Sequence, residues 1–163
     1  MSLEKVMSLS CAVEEADKQR LAGKRVVLTN GCFDLLHVGH VRYLQAARAY
    51  GDVLIVAVNG DESVRMLKGP GRPINSETDR AEVLAGLEVV GMVTIFHSKR
   101  VTEVIKALRP EVYVKGGDYT PESLCREEFA ALQEVGTQIE IVGLVEGKST
   151  TAVVSKMTGG NLK

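Results

Sequence analysis

Residues 29–40 read TNGCFDLLHVGH and place two of the chain's three histidines, His37 and His40, three positions apart. Imidazoles at that spacing project from the same side of a helix's first turn. Each can donate an N–H to a phosphate oxygen while staying compact. A helix mouth adds unpaired backbone N–H groups and the positive end of the dipole, so the combination suits a phosphate chain. Gly39 predicts room for a nucleotide against the helix, and Gly31 a close approach of strand-end backbone to the ligand. The same H-x-x-H spacing also suits a metal pair, for which zinc would want a third ligand such as Cys32 or Asp34.

Other segments offer matching chemistry. KGPGRPIN (68–75) sets Lys68 and Arg72 in a glycine-proline loop, which could close over a triphosphate or simply be a solvated tip. Arg80, near a helix start, can reach a phosphate or pair with a carboxylate such as Glu77. In KGGDY, Lys115 could meet a phosphate, Gly116 and Gly117 permit a tight turn, and Asp118 can accept from a ribose hydroxyl or only shape the turn. Asn30, Asp34 and Asn59 offer polar contacts to a hydroxyl-rich acceptor, and Asp34 could instead cap a helix or meet a magnesium ion. Cys32 has no histidine–aspartate relay beside it and reads as packing, not as a nucleophile. His97 has no partner signal and reads as surface.

These segments need a frame that brings them together. Aliphatic runs at 25–30, 53–59, 92–96, 111–114 and 139–142 predict strands. They alternate with helical patterns over 38–50, 61–67, 77–87, 100–108, 121–135 and 149–157. Val38, Val41, Leu44 and Ala47 supply the apolar stripe expected of the first of these. Ser76 predicts a cap for the helix at 77. Fully aliphatic strands interleaved with amphipathic helices predict an α/β fold: one Rossmann-like domain, with a parallel sheet of about five strands and helices on both faces. In such sheets ligands bind outside the carboxyl ends of the strands, where the polar, glycine-bearing segments fall. The expected organisation is a helical extension over 1–22, the domain over 23–157 and a disordered tail over 158–163.

The 163 residues carry a net charge of −1, with 45% hydrophobic and 25% charged residues. That balance argues against gripping nucleic acid by bulk charge, so an anion must be held by a local site. No apolar run approaches a membrane span and no signal peptide is evident. Three scattered cysteines argue against a disulfide framework, and the expected compartment is the cytoplasm.

The string GCFDLLHVGH resembles the H-x-G-H signature of the nucleotidyltransferase superfamily that includes cytidylyltransferases and adenylyltransferases. STT (149–151) resembles its second signature. TNGCFDLLHVGH, LKGPGRPIN, VKGGDY and VEGKSTT, in that order and spacing, resemble the bacterial adenylyltransferases acting on D-glycero-D-manno-heptose 1-phosphate, over roughly residues 23–157. The resemblance implies transfer of AMP from ATP to a sugar 1-phosphate, with Mg²⁺ bridging the nucleotide phosphates. It implies catalytic roles for His37, His40 and Lys68. It implies nucleotide binding by Asn30, Gly31, Cys32, Phe33, Gly39, Lys115, Gly116, Asp118, Ser149, Thr150 and Thr151, and acceptor binding by Asp34, Asn59, Arg72 and Arg80. In many members the domain is fused behind a sugar kinase; here it is expected to stand alone, working with a separate heptose-phosphate kinase, and the superfamily's habit suggests a homodimer. SLCREEFAAL (123–132) and HSKRV (97–101) depart from the pattern, the latter replacing an expected acidic stretch. The rival readings are a cytidylyltransferase for glycerol 3-phosphate or a related phosphoalcohol, and a nucleotide-binding sensor without catalysis.

Overall fold

The computed structural model describes residues 2–117, 120, 123–143 and 146–159. Five strands form one sheet: β1 (Val26–Gly31), β2 (Val53–Asn59), β3 (Met92–Phe96), β4 (Val112–Gly116) and β5 (Gln138–Val142). Their order is β3-β2-β1-β4-β5, and every pairing is parallel. The helices are α1 (Leu9–Leu21), α2 (Val38–Arg48), α3 (Asp61–Lys68), α4 (Glu77–Ala85), α5 (Thr102–Leu108), α6 (Arg126–Val135) and α7 (Thr150–Met157), preceded by a 3₁₀ turn at Ser2–Lys5. The α/β architecture expected from the alternation of patterns is the one observed.

Burial explains why the strands read as unbroken aliphatic runs. Val26, Leu28, Ile55 and Ala57 face one core, closed by Ala12 and Ala16 of α1, Ile105 and Leu108 of α5 and Leu132 of α6. The alternate residues Val27, Leu54, Val56 and Val58 face a second core, closed by Leu44 and Ala47 of α2 and Ala81 and Leu84 of α4. With both faces covered, nearly every position of the central strands is apolar.

Element ends shift for local reasons. The helix expected over 121–135 begins at Arg126, because Cys125 before it is extended (φ −51°, ψ 129°). Ser76 caps α4 through its side chain, which accepts from the Asp79 N–H at 3.2 Å. The stripe expected for α2 is rotated: the helix buries Tyr43, Leu44 and Ala47, whereas Val38 is 42% exposed. The first turn of α2 overhangs the strand ends, so its outer side meets solvent rather than the sheet. Residues 160–163 of the expected tail lie outside the described residues.

Candidate active site

The sheet is built to open at one place. β1 stays in register with β2 through Gly31↔Val58. With β4 it pairs only at Val27↔Val112 and Leu28↔Tyr113. Beyond those pairs the two strands part, at the point where strand order reverses, which is where open α/β sheets bind ligands. Three hydroxyls brace the split. The hydroxyls of Thr29 and Tyr43 lie 2.9 and 3.0 Å from the Val114 carbonyl oxygen and 2.6 Å from each other, so one donates to the carbonyl and the other to its neighbouring hydroxyl. The Tyr113 hydroxyl donates to Asn30 Oδ1 at 2.6 Å. Burial pushes the Tyr43 phenol up to about 12, so it remains a donor at any working pH.

Above the split lies a cleft of about 710 Å³. His37 is the N-cap of α2, and its Nδ1 accepts the Gly39 N–H at 3.1 Å. The His40 Nδ1 faces the His37 backbone N–H at 3.4 Å. The rings stack with centroids 3.9 Å apart. A nitrogen that accepts cannot carry a proton, so the hydrogen bonds assign both neutral rings their proton at Nε2. Burial, with the Lys148 charge, lowers the His37 pKa. Burial, with His37, lowers that of His40 to about 4. Both rings are therefore neutral donors at neutral pH. Phe33 packs edge-on against His40 with centroids 5.4 Å apart, from a left-handed backbone (φ 47°) uncommon for so large a residue.

Both glycines sit close against side chains of the protein itself. A Cβ on Gly39 would meet the His37 ring at 2.8 Å and the Lys148 stem at 3.2 Å. One on Gly31 would meet the Phe33 ring at 2.9 Å. Both make room for the protein's own side chains at the cleft.

On the β2 side, Asp34 is 4% exposed. Its carboxylate accepts the Arg72 Nε at 2.7 Å and the backbone N–H groups of Ile74 and Asn75 at 2.8 and 3.0 Å. Burial alone would raise its pKa, but those two N–H groups and the guanidinium outweigh it and hold the carboxyl below its ordinary value. Asp34 thus ties down the 68–75 loop and presents Arg72 to the cleft. Asn59 lines the same wall. Lys68 ends α3, exposed at the rim.

Arg80 is the clear correction. Expected to bind the acceptor, it is 2% exposed and does not line the cleft. Its guanidinium donates to the carbonyls of Asn75, Cys32 and Asn59 at 3.0, 2.6 and 2.7 Å and pairs with Asp61, not Glu77, at 2.8 Å. Five fixed N–H donors in a plane suit such a junction. Arg80 binds the β1 and β2 ends and the loop before α4 into one unit, and so shapes the site without touching it.

On the far wall, the Ser149 hydroxyl caps α7 by accepting the Ala152 N–H at 3.0 Å. Thr150 donates to the Leu35 carbonyl at 3.2 Å, joining the mouths of α7 and α2. Thr151 lines the cleft beside them, as do Asn30, Cys32, Lys115 and Gly116. Burial pushes the Cys32 thiol up, away from the thiolate a nucleophile needs. Asp118 lies outside the described residues. Six further residues line the cleft that the sequence did not single out as site residues: Tyr43, Leu67, Lys99, Arg100, Glu128 and Lys148. Glu128 is buried, with one carboxylate oxygen 3.5 Å from Lys115.

A doubly wound parallel sheet, split at its switch point beneath two helix mouths and paired neutral histidines, is the frame of a nucleotide-handling α/β enzyme. A family model described as cytidylyltransferase-like matches residues 28–156, and the chain belongs to that nucleotidyltransferase family. It is 50% identical over 152 residues to the bifunctional protein HldE of Geotalea uraniireducens, covering 93% of this chain and 30% of that protein. It is 46% identical over 158 residues to the bifunctional protein HldE of Wolinella succinogenes, covering 97% and 32%. The chain thus spans about a third or less of these relatives' length. Among solved structures, the lipopolysaccharide core biosynthesis protein from Thermoplasma volcanium superposes with a TM-score of 0.62 at 26% identity, over 76% of this chain and 98% of that one. Among the described residues, no helix is long and apolar enough to cross a membrane.

Proposed function

We propose that this nucleotidyltransferase moves AMP from ATP to a sugar 1-phosphate of the D-glycero-D-manno-heptose class, releasing pyrophosphate. The observation that carries the reading is the His37–His40 pair: two neutral imidazoles, each held by a backbone N–H so that Nε2–H remains to donate into the cleft. An oxygen of the acceptor phosphate attacks the α-phosphorus. The new P–O bond forms as the bond to the bridging oxygen breaks, and pyrophosphate leaves with that electron pair. The nucleophile is already anionic, so the reaction needs alignment and charge stabilisation rather than a general base. His37 and His40 donate to oxygens on which charge grows. The mouths of α2 and α7, with Ser149, Thr150 and Thr151, hold the β/γ end, and Lys68 covers it. Asn59 and Arg72 face the acceptor, and Asn30, Lys115 and Gly116 the nucleoside, a role that the family resemblance extends to Asp118. The motif order shared with heptose 1-phosphate adenylyltransferases, the named relatives and the lipopolysaccharide-core neighbour support the choice of sugar.

A divalent cation fits this scheme as a passenger on the phosphates. Mg²⁺ retains waters and takes few protein ligands. Among the described residues, no three of His, Cys, Asp and Glu gather to hold a metal, and Asp34 is the cleft carboxylate beside the histidines, already engaged by Arg72. Bound there, the cation would neutralise phosphate charge. A cytoplasmic setting, a separate kinase that supplies the acceptor and a homodimer belong to the same reading.

The test is pyrophosphate release by purified protein with each nucleoside triphosphate and Mg²⁺ against a panel of phosphorylated acceptors. ATP should be favoured over CTP by at least roughly tenfold in kcat/KM, because an unpaired buried polar group at the wrong base costs about 1–3 kcal/mol. A preference for CTP with glycerol 3-phosphate would move the chain to the cytidylyltransferases. Binding of ATP without any release would make it a sensor.

A further inference from the structure

Glu128 lines the cleft, yet the transfer reaction gives it no task. It stands in the first turn of α6, where the helix dipole favours its charge, and it is 3% exposed. Buried carboxylates are normally hydrogen-bonded as well as paired. Asp34, the other buried carboxylate of the cleft, accepts from Arg72, Ile74 and Asn75. Glu128 differs. Lys115 stands 3.5 Å from its Oε2 and matches its charge, but that buried oxygen has no hydrogen-bond partner among the described residues. Thr94 Oγ1 and Thr102 Oγ1 share that state. Neither threonine lines the cleft, so only at Glu128 can a ligand supply what is missing.

The surroundings decide what kind of partner fits. Lys115 already supplies positive charge. Among the described residues, no three of His, Cys, Asp and Glu gather to hold a metal. A carboxylate paired with an ammonium accepts and does not donate. The missing partner is therefore a neutral N–H or O–H. Glu128 packs beside Lys115, at the end of the cleft assigned above to the nucleoside. There the Tyr113 hydroxyl occupies Asn30 Oδ1 at 2.6 Å, which leaves the Asn30 amide N–H groups to donate. Asn30 and Lys115 offer donors. Glu128 offers the acceptor that a nucleoside, with groups of both kinds, also requires.

We propose that Glu128 is a specificity-determining residue for the nucleotide: its carboxylate accepts a hydrogen bond from a neutral donor of the nucleoside, the base amine or a ribose hydroxyl. This rests on the transfer reading above and deepens it. A nucleoside lacking that donor would leave the buried oxygen unpaired, and one carrying a carbonyl in its place would set oxygen against oxygen.

The experiment is calorimetric binding, with Mg²⁺ and no acceptor, of four nucleotides: ATP, purine riboside triphosphate (which lacks the 6-amino group), 2′-deoxy-ATP and 3′-deoxy-ATP. Each is measured on wild type and on Glu128→Met, an apolar residue of similar length. Wild type should bind the analogue that lacks the donor about tenfold or more weakly than ATP, the scale of a charge-assisted bond. In Glu128→Met that one penalty should vanish. Its disappearance for the purine analogue assigns Glu128 to the base, and for a deoxy analogue to the ribose. A merely structural role weakens all four nucleotides alike and leaves their ratios unchanged, which overturns the proposal. Equal binding of all four by wild type overturns it without any variant. Glu128→Gln keeps the shape with a neutral, weaker acceptor and serves if the apolar variant does not fold. There the penalty should shrink severalfold, and an unchanged penalty overturns the proposal. If CTP outbinds ATP, then CTP, UTP and the two deoxycytidine triphosphates form the matching set. Because no acceptor is present, the outcome is independent of the transfer. Discrimination that needs Glu128, in a protein that releases no pyrophosphate, upholds the inference and sinks the transfer reading. Normal release with ratios indifferent to Glu128 does the reverse.

Discussion

The imidazole of His37 lies against that of His40, 30° from parallel, and each ring turns Nδ1 toward a backbone N–H of the first turn of α2. Protonating either ring at Nδ1 would set N–H against N–H, and charging both would put two cations 3.9 Å apart. The fold therefore holds the pair neutral, which is the state that donates from Nε2 alone.

Stability should depend on this in a definite direction. The His40 pKa falls from 6.5 to about 4 on folding, so between those values the unfolded chain binds a proton that the native one refuses. Unfolding free energy then rises with pH across that window, and the contribution is complete above about 6.5 and lost toward 4. Melting temperature should fall on acidification more steeply in wild type than in His40→Ala. Parallel curves would show that His40 titrates normally.

The same substitution tests the chemistry. His40→Ala should lower turnover by roughly 10²-fold or more, the scale of losing one transition-state donor, in a protein whose circular dichroism is unchanged. Normal turnover in that folded variant would remove the phosphate role.

Lys68 is exposed at the end of α3 and contributes little to folding. Lys68→Ala should weaken the use of ATP while leaving melting temperature within a degree or two. The opposite pattern, a large stability loss with normal kinetics, would make it structural.

Arg80 should behave in the reverse way. Arg80→Leu takes the donor from three carbonyls and the partner from the partly exposed Asp61, and a loss of about 3 kcal/mol in urea unfolding is expected. Arg80→Lys should also lose about 2 kcal/mol, because one ammonium cannot copy the planar fork. Near-wild-type stability in Arg80→Lys would show that charge alone suffices.

For Gly39→Ala, better helix propensity contributes about 1 kcal/mol and crowding against the His37 ring opposes it with about 1–3 kcal/mol. Stability should therefore stay level or fall by up to about 2 kcal/mol. The kcat should drop tenfold or more, because the ring that must move is the one that donates. A fully active Gly39→Ala enzyme would mean that the ring yields harmlessly.

Periodicity made the sheet legible, because strands buried on both faces show it in every residue. The histidines were readable for a similar reason: their meaning lies in local order, strand then helix mouth. At Gly39 and Gly31 the structure adds protein side chains, the His37 and Phe33 rings, beside the missing Cβ, since sequence names a missing Cβ and not what occupies the space. Arg80 was read as a ligand because an arginine near a helix start does not say which way its side chain points; only the carbonyls of three distant segments, brought together by folding, define its place. Lys99, Arg100 and Lys148 were invisible for the complementary reason, being ordinary surface cations until the sheet order sets their loops beside the same cleft.

The two margins of the sheet are not equivalent. At β3, Val6 forms a parallel bridge with Val93, and the Met7 N–H donates to the Val93 carbonyl at 3.0 Å. The chain's first turn thus occupies a row of backbone groups that would otherwise template a neighbour's strand. β5 pairs with β4 alone among the named strands. Self-association by strand addition, if this protein undergoes it, is steered to β5, five strands away from the segment that guards β3.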